Sequence, residues 1–334
     1  MGDTSWYERL FSMINASETL RPLTPTSTDF VEVAVLERAG IVESRHRGIA
    51  ALVGPDGKLI DHLGSAKRII YPRSAVKPLQ VVAMRRAGLN LTGAQLAITA
   101  GSHQGTPKHL ELVHQILEAA GLNESALQCP VAWPGNPSAR AAADSESKAA
   151  FNCSGKHAGF LAASVAAGFP LDSYLAPEHP LQILIREVLE EYSEEPILHS
   201  TVDGCGAPLH TIAVAGLARA IGKFASADEA VVDAMLANPW AVGEAKSPDA
   251  LIMEHGMVAK LGAEGVFVIG LPDGHGVAVK IADGSLRAAP LVALGLLRRN
   301  HLIQESVYQE LLQALAVKSL GGSQVLGELR ALWT

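Results

Sequence analysis

The sequence predicts an α+β fold: an antiparallel sheet built from both chain ends, covered by helices, with a helical lobe inserted between them. Three observations carry this. Hairpin signals lie near the start of the chain and again near its end. Helix-like segments fill the middle. Strands and helices do not alternate, which argues against a doubly wound parallel sheet. At 334 residues the chain is long enough for an ample core.

The elements follow in order. MGDTSWYERLFSMINASETL reads as a short amphipathic helix, with Trp6, Leu10 and Met13 near one face. FVEVAVLERAG alternates in part, and GIAALVG and KLIDHLG flank GPDG, a hairpin signal. SAVKPLQVVAMRRAG, TPKHLELVHQILEAAG, GKHAGFLAASVAAG, HPLQILIREVLEEYS and GAPLHTIAVAGLARAIG read as helices, most of them ending in glycine. GVFVIG and GVAVKIA, joined by LPDGH, form a second hairpin, and QESVYQELLQALAVK a last amphipathic helix. Residues 1–29 read as an N-terminal extension and 30–334 as one domain, a sheet lobe with an inserted helical lobe.

Composition narrows the function. Apolar residues make up 48% and aromatics 5%, so the core must be mostly Ala, Val, Leu and Ile. The formal net charge is −7 with no block of like charge, which argues against a nucleic-acid partner. The longest apolar runs, FLAASVAAGF and HTIAVAGLA, fall short of the roughly 18 residues that span a bilayer. The N-terminus lacks the basic start and long apolar middle of a secretory signal. MGDTSW loosely fits a myristoylation pattern, but no polybasic segment supports it. Three cysteines, an odd number, suggest reduced thiols in a cytoplasmic protein.

Five stretches carry chemistry. In YPRSAVKPLQ, Ser74 and Lys77 stand one turn apart after Pro72, and Pro78 fits only if Ser74 lies at a helix boundary. A lysine beside a serine can take its proton and activate it as a nucleophile, although a capping serine and a solvated lysine share the same spacing. In FNCSGKHAGF, Cys153 and Lys156 are one turn apart; in TVDGCGAPLH, Asp203 and Cys205 sit among glycines. That set is not a standard zinc signature, and by spacing alone it reads as buried thiols. In TAGSHQGTPKH, Ser102 and His103 are neighbours whose side chains diverge, so Ser102 needs a partner from elsewhere. In KLGAEGVFVIG…GVAVKIADG, Lys280 lies in an apolar strand, where an unpaired charge is costly.

These stretches, in this order, resemble the rhizobial-type or class 3 L-asparaginases, the asparaginase II family. NPWAVGEAKSPDALIMEHGMVAKLGAEG also looks like the family's loop before its final strands. The likeness covers roughly residues 30 to 330 and says nothing of the extension. It implies a fold similar to serine β-lactamases and glutaminases, and hydrolysis of L-asparagine to L-aspartate and ammonia. It implies two Ser–Lys pairs, Ser74 with Lys77 and Ser102 with Lys280, and a Zn2+ ion held by Cys153, Lys156 and Cys205. Arg73, Asp203, His103 and Glu264 are the candidate substrate-binding residues, and a homodimer is expected. On this reading an uncharged Lys77 accepts the Ser74 proton and Ser74 attacks the side-chain amide. The alternatives are a glutaminase or other serine amidase of the same fold, and a zinc-stabilised binding protein without catalysis. A penicillin-site lysine is usually followed by Thr/Ser-Gly, and Ile281 and Ala282 after Lys280 do not match.

Overall fold

The computed structural model describes Leu20 and residues 23–334. The helix expected around Trp6, Leu10 and Met13, and the MGDTSW match, lie outside the described residues.

The strands are β1 (Val31–Arg38), β2 (Ile41–Val53), β3 (Leu59–Leu63), β4 (Ile69–Ile70), β5 (Ser200–Val202), β6 (Pro208–His210), β7 (Ile212–Ala213), β8 (Val258–Gly262), β9 (Val266–Gly270), β10 (Gly276–Ile281), β11 (Lys318–Gly321) and β12 (Gln324–Ala331). The main sheet runs β11-β12-β1-β2-β10-β9-β8, with β3 also paired to β2, and every pairing is antiparallel. Both chain ends feed it, as expected. The GPDG turn closes β2 onto β3, and LPDGH closes β9 onto β10.

The helices are α1 (Lys77–Arg86), α2 (Gly93–Thr99), α3 (Pro107–Ala119), α4 (Pro137–Ala142), α5 (Ser154–Ala167), α6 (Pro180–Ser193), α7 (Val214–Ala227), α8 (Glu229–Ala237), α9 (Pro239–Val242), α10 (Pro248–Met253), α11 (Ala289–Arg299) and α12 (Glu305–Ala314). Consecutive β10 residues Val277, Ala278 and Val279 are all fully buried, so both sheet faces are covered. Helices α7 and α11 both pack on β9 and β10. Contact with α7 is so close at Gly276 that any Cβ there would clash with the Ala218 carbonyl oxygen and the Gly222 nitrogen. The inserted lobe centres on α5, which packs against α1, α2 and α3.

Two expectations need correction. The helix read over GAPLHTIAVAGLARAIG begins only at Val214. Its first part forms β6, paired with β5, and β7, paired with β4. Pro208 and the β-branched Thr211 and Ile212 suit extended backbone. The chain also does not end in a helix: β11 and β12 form a further hairpin, and β12 pairs with β1.

One buried ion pair ties β8 to α10. Lys260 Nζ lies 3.5 Å from Asp249 Oδ2, and both side chains are fully buried. Burial pushes the Lys260 amine down to about 8, and repulsion from Lys77 adds to this, while Asp249 pulls the other way.

Two predictions follow from this packing. Gly276→Ala must move α7 off the sheet and should cost roughly 3 kcal/mol, read as a lower urea midpoint; an unchanged midpoint would contradict the close contact. Lys260 holds its proton less firmly folded than unfolded. Wild-type stability should therefore gain a contribution as pH rises from about 8 towards the ordinary lysine value of 10.5. Subtracting the profile of Lys260→Met from that of the wild type should reveal this rise, and a flat difference would show that Lys260 titrates normally.

Candidate active site

The reactive segment sits where β8 meets the start of α1. Arg73–Val76 forms a 3-10 turn that runs directly into α1. Pro78 is in the first turn of α1, where no helical N–H is required of it. β8 presses against this turn: a Cβ on Gly262 would stand 2.5 Å from the Pro72 carbonyl oxygen and 3.1 Å from the Ala75 nitrogen. Arg73 takes a left-handed φ of +52°, a costly conformation for a residue with a side chain. Its guanidinium is held by Asp203, Nε to Oδ1 at 2.7 Å. Asp203 comes from the tight DGCG turn between β5 and β6, where Gly206 N donates to its carbonyl.

Lys77, the first residue of α1, is 1% exposed. Its Nζ donates to Ser102 Oγ at 3.0 Å and to the Gly101 carbonyl. Ser74 and Lys77 both line a narrow cavity of about 10 Å³, together with Lys156 and Asp203. Ser102 does not line it and is 5% exposed, behind Lys77. The two expected pairs are therefore redistributed. Ser74 and Lys77 share a cavity, but the Ser–Lys hydrogen bond joins Lys77 to Ser102.

No hydrogen bond joins Lys280 to Ser102 among the described residues. Lys280 lies on β10, and its Nζ donates to the Glu264 carbonyl. Both residues line a second, larger cavity of about 640 Å³, beside Tyr71, Phe30 and His199. Burial lowers the Lys280 amine below its ordinary range, and Arg73 adds repulsion to that effect. Arg73 lines both cavities and so stands at their junction. Glu264 is exposed and in a left-handed conformation, φ +62°. His103 lines neither cavity. It is buried, its Nε2 is 2.8 Å from Ser154 Oγ, and its Nδ1 accepts from Gly105 N.

Lys260 is a residue that the sequence reading passed over. It lies on β8, beside the Ser74 turn, close enough to Lys77 for mutual repulsion. Two cations in one dry region cannot both stay comfortably protonated. The signal was present: Lys260-Leu261-Gly262 echoes the Lys-Thr/Ser-Gly pattern sought at Lys280.

Cys153, Lys156 and Cys205 lie close together. Cys153 precedes α5, Lys156 is in its first turn, and Cys205 is in the DGCG turn. Lys156 Nζ is 3.1 Å from Cys205 Sγ, and the Cys153 thiol donates to the Cys205 sulfur. That hydrogen bond and the neighbouring Lys156 hold Cys205 far below the ordinary thiol range, while Cys153 is pushed up. Burial works against the Lys156 ammonium, but attraction to the two sulfurs outweighs it and raises its affinity for the proton. The two thiols are not disulfide-bonded. Among the described residues no group of three or more His, Cys, Asp or Glu side chains could hold a metal ion. Any metal here relies on the lysine as third donor.

The chain matches the family model described as L-asparaginase II over residues 34–331. No curated protein matches it by sequence. Among solved structures it is similar to two titled "Crystal Structure Analysis of Mglu", one in its native form and one in its glutamate form. Each is 15% identical with a TM-score of 0.43, over 91% of this chain and 74% of that one, and over 90% and 69%, respectively. The family match spans nearly the whole chain, so the protein belongs to the L-asparaginase II family and is an amidohydrolase of the L-asparaginase type.

Proposed function

We propose that the protein hydrolyses L-asparagine to L-aspartate and ammonia, with Ser74 as nucleophile and Lys77 as its base. The observation that supports this best is the shared cavity: Ser74 and Lys77 line it, whereas Ser102 lies behind the lysine. An uncharged Lys77 amine takes the Ser74 proton as Oγ attacks the carboxamide carbon. The same amine then returns the proton to the departing nitrogen, and ammonia leaves. Water cleaves the resulting ester by the same route in reverse. Ser102 and the Gly101 carbonyl hold the Lys77 amine in place throughout. Lys260, a second buried cation, stands close enough to Lys77 for the two to repel. The start of α1 places its positive dipole end near the forming oxyanion.

The charged pair at the cavity junction suits an amino acid. Arg73 meets the α-carboxylate and Asp203 the α-ammonium, each replacing part of their contact with the other. We assign Lys280 and Glu264 to the outer chamber, away from the reacting atoms.

Zn2+ would be held by Cys153, Lys156 and Cys205. The donor set fits: two sulfurs and an amine already converge, and the Cys205 thiol is held below its ordinary range by Cys153 and Lys156. When bound, zinc supplies a positive centre beside Asp203 that orients substrate. Lys156 must lose a proton to ligate, so affinity should rise with pH.

Ser74→Ala should lose at least about 1,000-fold in kcat with its melting temperature unchanged. Retained turnover would remove Ser74 from its role. Ammonia release from asparagine, glutamine and a chromogenic β-lactam decides the substrate, with asparagine expected to lead; one methylene separates the first two by roughly 10- to 200-fold. Elemental analysis should find one zinc per chain in the wild type and none in Cys205→Ala, and a metal-free wild type would end the zinc assignment.

A further inference from the structure

Two residues lining the narrow cavity each have one buried polar atom without a hydrogen-bond partner among the described residues. Gln80 is 5% exposed and lies on α1, one turn beyond Lys77, so it shares that residue's face of the helix. Its Oε1 is buried and makes no hydrogen bond. His210 is 6% exposed, on β6. Its Nδ1 is 2.7 Å from Ser200 Oγ, but its Nε2 is buried and unpaired. Burial pushes the imidazole down to about 4, with Arg186 adding repulsion, so the ring is neutral. Both residues line the cavity that holds Ser74 and Lys77. An unsatisfied buried polar atom costs about 1–3 kcal/mol, and two in one cavity point to a ligand that satisfies them.

The cavity has room for about one water-sized group, at about 10 Å³. A whole amino acid does not fit there, whereas the NH2 of a side-chain carboxamide is of about that size. We propose that Gln80 and His210 form the carboxamide-reading edge of the active site, with Gln80 Oε1 accepting a hydrogen bond from the substrate's NH2 group. His210 Nε2 meets the same group from the other side. The edge therefore selects primary carboxamides. A carboxylate or an ester presents no N–H to Gln80 and leaves its oxygen unpaired, which disfavours the acid product and speeds its release. Gln80 is a specificity residue and takes no proton itself. This rests on the asparaginase reading, which already places the carboxamide against Ser74.

The test compares two substrates cleaved at the same carbonyl, asparagine and the β-methyl ester of aspartate. Gln80→Met keeps the side chain's length and removes the acceptor. Its kcat/KM for asparagine should fall by about 30-fold or more, with that for the ester changing less than about threefold. Gln80→Glu retains an acceptor and should retain most of the amide preference. His210→Phe should shift the amide-to-ester ratio in the same direction, so one misfolded variant leaves another to decide. Equal losses on both substrates, or an unchanged ratio in the folded variants, would overturn the proposal. If wild-type protein released no ammonia from asparagine yet cleaved the ester, the carboxamide edge would be wrong. If it cleaved neither, the asparaginase reading would fail and take this inference with it.

Discussion

The site depends on one buried amine. Lys77 is fixed between a carbonyl and a hydroxyl in a region with almost no solvent. A lysine in such a place must either be paired or lose its proton. No carboxylate reaches it by an ion pair among the described residues. The nearest such arrangement belongs to its neighbour, since Asp249 is spent on Lys260. The fold thus brings two buried lysines together and gives an acid to only one of them. Lys77 is left with the Gly101 carbonyl and the Ser102 hydroxyl as its partners, and Lys260 with Asp249.

Backbone geometry delivers this chemistry. β8 lies against the 3-10 turn because Gly262 has no side chain to hold it off. Arg73 keeps a left-handed conformation that the Asp203 contact stabilises. The turn carrying Asp203 also carries Cys205, so one loop reaches both the substrate junction and the thiol cluster. A change at that loop would disturb both the Arg73–Asp203 contact and the thiol cluster. The two cavities meet at Arg73: a narrow one lined by Ser74 and Lys77, and a wider one lined by Lys280 and Glu264.

Much of the fold was legible because its signals are local. The GPDG and LPDGH turns, the helices and the position of Pro78 all depend on neighbours in sequence. The miss over Pro208–Ala213 came from reading apolar residues by helical period where short ladders to distant strands decide the conformation. The final hairpin, around Gly321 and Gly322, gains its stability by pairing with β1, almost 300 positions away, which no local window reveals. In the site, the residue types were readable and the partnerships were not. Ser74 and Lys77 line one cavity, and Cys205 lies beside Lys156, a grouping that the spacing of Cys153, Lys156 and Cys205 alone did not reveal. The Lys77 contact to Ser102, and the choice between Lys260 and Lys280, are set by which strand borders the turn. β8 does and β10 does not, although both carry a lysine among apolar residues.

In the proposed reaction the hydroxyl at position 74, and not the one hydrogen-bonded to Lys77, becomes acylated. Acid quenching during turnover of a slow ester of aspartate, followed by peptide mapping by mass spectrometry, tests this directly. The account predicts an aspartyl adduct on the peptide at Ser74. An adduct on Ser102 would contradict it and make the buried serine the nucleophile.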